Sequence, residues 1–179
     1  MNWTDLLKGE METGYATTAR LIDKVDLNML DWKPSTGCNW MTLGQLLRHL
    51  TEACGVGCKA FVTGDWGLPG GQKYEDLSPE EMLPPAEKLP TIESVDEAKK
   101  LLERDRAIAL RMIEQAGEHD LASKEMAAPW APEAKLPLGL HLLRMIQHLE
   151  RHKSQLFYYL KLQGKTVNTV DLWASPAGH

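Results

Sequence analysis

Four long stretches of the chain repeat apolar residues at intervals of three and four, which is the spacing of one helix face. They cover residues 4–25, 42–64, 94–117 and 137–164. No stretch shows a convincing alternation of apolar and polar residues, the pattern that indicates a half-buried strand. The pattern therefore predicts an all-α protein with four main helices.

Residues at the ends of these stretches are of the kinds that begin and end helices. Ser94 and Glu97 have the spacing of a capping box at the start of the third helix. Pro137 suits the first turn of the fourth helix, and Gly164 suits its C-terminal end. These residues support the predicted boundaries.

The two connections that follow the second and third helices are long. Residues 64–92 and 118–137 are predicted as irregular crossovers, with one short helical turn at residues 78–82. Four amphipathic helices with such connections predict a four-helix bundle, in a single domain that spans residues 1–179. The Val-Asp-Leu-Trp segment at residues 170–173 is expected to dock on this bundle.

Composition and net charge limit the classes of protein to which the chain can belong. The chain has 179 residues, of which 43% are hydrophobic and 25% charged, as is ordinary for a soluble globular protein. A net charge of −5 argues against a nucleic-acid partner. We expect no membrane span, because no run of about 18 apolar residues occurs, and no signal peptide, because the N-terminus lacks an apolar core.

Three cysteines are too few for a disulfide framework and odd in number. Reduced thiols, and therefore a cytoplasmic location, fit best. Cys54 and Cys58 lie on the side of the second helix away from His49, so we interpret them as small core residues.

His148 and His152 are four residues apart on the fourth helix. Both imidazoles leave the same face with a rise of about 6 Å, so they can bind one metal ion if a third ligand is added. A solvated helix face is the competing interpretation of this pair. Leu149 stands where the zinc-protease motif has its catalytic glutamate. Gln155 and Tyr159 continue the same face and are expected to be packing residues.

His49 lies at the edge of the apolar stripe of the second helix. Helix bundles build metal sites from inward-facing side chains on neighbouring helices, so His49 with His148 and His152 would form a three-histidine site. Imidazole ligands suit Zn, Ni, Fe or Cu, and the absence of inward carboxylate pairs argues against Mg or Ca.

Three other polar residues are candidates for a role near this site. Glu52, one turn after His49, is either a general base or a solvated carboxylate. His141 is about 10 Å along the helix from His148, too far for the same ion; it either lines the mouth of the pocket or, as we favour, is a surface or capping histidine. Asp105 interrupts an apolar stripe; it either orients a ligand imidazole or, as we favour, pairs with an arginine such as Arg144.

Motifs in a fixed order lie in both halves of the chain. They are Trp32-Lys33-Pro34 with Gly37 and Trp40, then Leu46-Leu47-Arg48-His49-Leu50, and near the end His148-Leu-Glu-Arg-His152-Lys-Ser-Gln155-Leu156, followed by Tyr159-Leu160 and Gly164. These motifs resemble those of the DinB and YfiT-like superfamily. The resemblance implies an up-down-down-up four-helix bundle. It also implies a divalent metal held by His49, His148 and His152.

The resemblance extends to function. Many members dimerise, and characterised relatives include thiol-dependent S-transferases and a mycothiol-dependent isomerase. We therefore expect a metal-dependent transferase of the thiol S-transfer type or a hydrolase, acting on a small molecule such as a low-molecular-weight thiol. Zn or Ni is expected ahead of Fe, and a homodimer is expected. The alternative is a non-catalytic bundle that binds a metal or a partner.

Overall fold

The computed structural model of the chain describes residues 2–173, most of which are helical. The helices are α1 (Trp3–Ile22), α2 (Leu43–Leu50), α3 (Gly55–Thr63), α4 (Pro79–Met82), α5 (Val95–Ser123), α6 (Leu138–Leu162) and α7 (Thr169–Trp173). Two strands, β1 (Glu125–Ala128) and β2 (Ala131–Pro137), precede α6. The predicted first, third and fourth helices correspond to α1, α5 and α6.

The long helices pack through the apolar faces that the sequence pattern predicts. α1 packs on α5 and α6, α3 packs on both α5 and α6, and α2 packs on α6. The shared core contains buried leucines from four of these helices: Leu7, Leu46, Leu47, Leu50, Leu102, Leu149 and Leu156. Each such side chain contributes about 1.5–3 kcal/mol on burial, so apolar packing dominates the stability of this arrangement.

The prediction of one continuous helix over residues 42–64 is wrong. α2 ends at Leu50, residues 51–54 form turns, and α3 begins at Gly55. The apolar pattern runs across the break because Cys54 and Cys58 are buried in the same core. Periodicity reports which residues are buried, and here it does not detect the interruption between them.

The start of α2 ties the first crossover to the helices. Thr42 and Gln45 form a capping box, with the Gln45 N–H donating to Thr42 Oγ1 and the Thr42 N–H donating to Gln45 Oε1. Gln45 Nε2 then donates to the carbonyls of Ala86 and Leu89, at 2.8 and 2.9 Å. The crossover contains α4, which confirms the short helical turn predicted near residue 80.

The second crossover is not irregular throughout, as was predicted. Gly117 has φ +65°, which interrupts α5 at the predicted end, but helical turns continue to Ser123. Residues 125–137 then form an antiparallel hairpin that pairs Met126 with Leu136, with a bulge after Ala127. The sequence pattern did not predict these strands because alanine, glutamate, lysine and proline have low strand propensity.

Residues 170–173 lie in α7, which packs on α1 and α6 as predicted. Asp171 forms an ion pair with Lys24 at 3.2 Å. Among the helices of residues 2–173, none is long and apolar enough to cross a membrane.

His141 is buried, so its prediction as a surface or capping histidine is wrong. Only 2% of the residue is exposed, and its ring stacks on Phe61 with centroids 4.3 Å apart. Its Nε2 donates to the carbonyl oxygen of Met126 at 2.8 Å. His141 therefore attaches the hairpin to the start of α6.

We predict that His141→Ala destabilises the fold by about 2–4 kcal/mol, because it removes the ring stack and leaves the Met126 carbonyl without its donor. The free energy of unfolding in urea measures this. His119→Asn is the control, since the His119 side chain is 90% exposed. Equal stability of the two variants would contradict the attachment role.

Candidate metal centre

The three predicted histidines come together between α2 and α6. Nε2 of His49 lies 3.1 Å from Nε2 of His148. The His49 ring is 4.3 Å from the His152 ring, and His148 is 4.8 Å from His152, measured between centroids. One ligand atom from each histidine lies within 4.8 Å of the other two. Two nitrogens bound tetrahedrally at about 2.1 Å would be about 3.4 Å apart, so small adjustments allow a shared ion.

A chain of hydrogen bonds orients His152. Tyr159 Oη donates to the carbonyl of Met41 at 2.9 Å, because a carbonyl can only accept. Gln155 Nε2 therefore donates to Tyr159 Oη at 3.2 Å, and Gln155 Oε1 faces Nδ1 of His152 at 3.0 Å. Nδ1 of His152 must then carry the proton, which leaves the lone pair of its Nε2 available for a metal.

A backbone carbonyl orients His148 in the same way. Nδ1 of His148 donates to the carbonyl oxygen of Ala53 at 3.0 Å. The proton on Nδ1 leaves the Nε2 lone pair directed at His49. Partners of this kind on the second ring nitrogen fix the tautomer and the orientation of metal-binding histidines.

Burial keeps the three imidazoles neutral at pH 7. It is the largest cause that lowers the pKa of His49 to about 4, and the neighbouring His152 and His148 lower it further. Burial also lowers the pKa values of His148 and His152, although the hydrogen bonds to Ala53 and Gln155 oppose the shifts. Neutral imidazoles are the form that binds metals.

The donor set therefore fits a divalent transition metal. Three neutral imidazole nitrogens suit Zn, Ni and Fe. Among residues 2–173, His49, His148 and His152 form the one group of three His, Cys, Asp or Glu side chains whose ligand atoms lie close enough together to bind a metal. Two of its members have their second nitrogen hydrogen-bonded in the manner of a metal ligand.

Glu52 forms an ion pair with Arg48 and is exposed. Both side chains line a cavity of about 200 Å³ against α5 residues that include Arg104 and Ile108. The general-base role of Glu52 stays a prediction.

Asp105 does not pair with Arg144, which is exposed. Only 2% of the residue is exposed, and its carboxylate accepts hydrogen bonds from Tyr15 Oη at 2.6 Å and from the backbone N–H groups of Gly55 and Val56 at 2.9 and 3.0 Å. Backbone donors from another helix cannot be recognised in a sequence, so the favoured pairing was wrong.

Sequence reasoning assigned Gln155 and Tyr159 to packing, but both belong to the hydrogen-bond chain that orients His152. Their positions, three and seven residues after His152 on the same helix face, were the sequence feature that could have indicated this role. The Ala53 carbonyl carries no signal in the side-chain sequence.

The fold and the site together define a class of protein: it is mostly helical, and three histidines converge between two of its helices. The family model of the DinB superfamily matches residues 10–156. The chain belongs to the DinB superfamily, as its motifs suggested.

A solved structure shares this fold. The crystal structure of a DinB-like protein, YjoA from Bacillus subtilis, matches with a TM-score of 0.63 at 15% sequence identity. The match covers 90% of this chain and 94% of that one. Among curated proteins, none matches the chain significantly.

The lowered pKa of His49 predicts a pH-dependent stability for the metal-free protein. Below about pH 6.5 the unfolded chain binds a proton at His49, whereas the folded protein binds it only near pH 4. The free energy of unfolding therefore falls as the pH falls from 7 to 5, by about 1–2 kcal/mol from this residue. Urea unfolding at both pH values, with a chelator present, measures the fall.

His49→Asn should reduce this pH dependence, while the exposed His119→Asn should retain it. An unchanged fall in the His49 variant would show that His49 is not held neutral by burial.

Proposed function

We propose that this protein is a metal-dependent enzyme that binds one divalent transition-metal ion through the Nε2 atoms of His49, His148 and His152. The observation that carries the proposal is the convergence of three neutral imidazoles, two of which have their Nδ1 protons assigned to hydrogen-bond acceptors. Zn or Ni is proposed ahead of Fe.

Among residues 2–173, no fourth His, Cys, Asp or Glu side chain joins the three histidines, which supports the enzymatic form of this proposal. A ligand from the C-terminal tail beyond residue 173 would lie outside the described residues. Gln155 Oε1 is used by His152, and Glu52 is paired with Arg48, so neither side chain is placed as a fourth ligand. Sites with three protein ligands keep a position for substrate or water, whereas structural sites use four. A non-catalytic metal site is therefore the less favoured alternative.

A metal bound by three imidazoles acts as a Lewis acid and lowers the pKa of a coordinated thiol or water. The histidines supply the binding site, and Gln155 and the Ala53 carbonyl hold two of them in the required tautomer. Glu52, which is paired with Arg48, is the candidate base for the hydrolase alternative. Thiol S-transfer is proposed ahead of hydrolysis because a free thiol, with a pKa of about 8.5, is closer to deprotonation at neutral pH than water is.

We therefore propose a low-molecular-weight thiol as substrate, in agreement with the thiol-dependent relatives that the motifs suggest. In the transfer a sulfur–carbon bond forms while the bond from that carbon to a halide or to an epoxide oxygen breaks. With a halide, the halide ion departs and the thiol proton passes to solvent; with an epoxide, the opened oxygen stays in the product and takes up a proton. Homodimerisation, a cytoplasmic location and the up-down-down-up order of a four-helix bundle complete the proposal. The packing of α1, α3, α5 and α6 on one another supports the four-helix bundle.

We predict that His49→Ala, His148→Ala and His152→Ala each weaken metal binding by several orders of magnitude. Each removes one of three ligands that the fold already holds in place, so chelation is lost. His141→Ala should leave the affinity nearly unchanged, because its ring lies under the hairpin and stacks on Phe61. Elemental analysis after reconstitution, on protein without a His-tag, measures the metal content.

Wild-type protein that retains less than about 0.2 equivalents of metal would contradict the site. His141→Ala protein that keeps the wild-type helical circular dichroism but loses as much metal affinity as the ligand variants would show that the wrong histidines were chosen.

We predict that zinc- or nickel-loaded protein accelerates the reaction of a small thiol with an alkyl halide or epoxide. His148→Ala should reduce the rate about 100-fold or more, because it removes the ligand while most of the fold remains. Thiol consumption measures the rate, and His119→Asn is the control, since its side chain is exposed and does not belong to the three-histidine group.

Activity on an ester panel without thiol transfer would replace the transferase proposal with the hydrolase. Silence in both assays, from protein that binds metal, would favour the non-catalytic alternative.

A further inference from the structure

The turn between α2 and α3 lies beside the candidate metal centre, yet it lacks a local cap. α3 begins after Cys54, whose side chain makes no capping hydrogen bond. The first N–H groups of any helix have no partner within it, and leaving them unpaired in a buried position costs about 1–3 kcal/mol each. Cys54 and Gly55 are both buried, so a partner must come from elsewhere in the fold.

Asp105 of α5 supplies that partner. Its Oδ2 accepts from the Gly55 N–H at 2.9 Å and its Oδ1 accepts from the Val56 N–H at 3.0 Å. The Cys54 N–H lies 3.4 Å from Oδ2. A carboxylate at a helix N-terminus also interacts favourably with the helix dipole. Asp105 therefore acts as the N-terminal cap of α3, although it comes from a different helix.

Two further contacts hold the carboxylate in this position. Tyr15 of α1 donates its hydroxyl proton to Oδ2 at 2.6 Å. A Cβ at Gly55 would collide with the backbone carbonyl of Asp105 and would lie 2.6 Å from Oδ1. Glycine at this position allows α3 to approach α5 closely enough for the cap to form.

One peptide group connects this cap to His148. The carbonyl of Ala53 and the N–H of Cys54 belong to the same trans peptide, so they point in opposite directions. The carbonyl accepts from His148 Nδ1 at 3.0 Å, and the N–H points toward Asp105. The direction of this peptide therefore depends on the hydrogen bonds that Asp105 makes at Cys54, Gly55 and Val56.

We propose that Asp105 is a positioning residue of the three-histidine site, which acts by fixing the Ala53–Cys54 peptide that orients His148. Asp105 contacts no histidine of the site and does not bind the metal. The inference rests on the proposed metal binding for its functional consequence. Its structural part, the control of the His148 tautomer, holds in the metal-free protein as well.

The test compares Asp105→Asn with wild type. Asparagine keeps the size but replaces one acceptor oxygen with an NH₂ donor, which would face a backbone N–H. Nitrogen-15 spectra of the metal-free imidazoles report the tautomer, and competition with a chelator reports zinc affinity at pH 7. We expect the variant to lose the pure Nδ1–H form of His148 and to bind zinc about 10–100-fold more weakly.

Ile113→Ala is the matched control. Ile113 is fully buried in the same helix, so its truncation destabilises the fold without touching the cap. This control should leave the tautomer unchanged and the zinc affinity within about twofold of wild type, within the scatter of independent sites. A wild-type tautomer and affinity in Asp105→Asn would overturn the proposal, and so would equal effects from Ile113→Ala.

A measurement on wild type applies even where Asp105→Asn does not fold. If the cap and the site are coupled, zinc must slow hydrogen exchange of the Gly55 and Val56 amides more than that of Ala109, in the middle of α5. Equal slowing at the three amides would overturn the proposal. Wild type that binds no zinc would reject the proposed function, while the tautomer measurement would still decide the role of Asp105.

Discussion

The candidate site depends on keeping three imidazoles neutral and pointed at one another inside the protein. Burial lowers their pKa values, and this lowering costs stability below the ordinary pKa of histidine because the unfolded chain gains protons first. Apolar packing of α2 against α6 offsets that cost, through side chains such as Leu46 and Leu149. A metal that binds only the folded form would add to the stability.

Nδ1 of His148 and Nδ1 of His152 each need a hydrogen-bond acceptor, and the need for these acceptors accounts for much of the surrounding structure. His152 needs an acceptor, which Gln155 provides through a chain that ends at the Met41 carbonyl. His148 needs another, which the turn after α2 provides at Ala53. A continuous helix over residues 42–64 would use the Ala53 carbonyl in its own hydrogen-bond ladder. The break between α2 and α3 therefore has a consequence for the site as well as for the fold.

Local patterns in the sequence were sufficient to predict α1, α5, α6 and the pairing of His148 with His152, whereas the addition of His49 depended on the expected bundle and on the family resemblance. Apolar periodicity is a local property, and His148 and His152 share a face by helix geometry alone. The features that were missed depend on partners distant in the chain. The helix break requires Asp105 from α5, and the buried state of His141 requires Phe61 and the hairpin carbonyl of Met126. The hairpin itself is built from residues with weak strand preference, so the local sequence pattern did not predict it.

The central claim is that three imidazoles bind one metal ion, and X-ray absorption at the zinc edge tests it most directly. Protein loaded with one equivalent of zinc is predicted to show about three nitrogen ligands at about 2.0–2.1 Å, with the outer-shell scattering of imidazole rings. Sulfur ligands at about 2.3 Å, which an exposed thiol such as Cys38 would supply, would contradict the claim, as would fewer than two imidazoles.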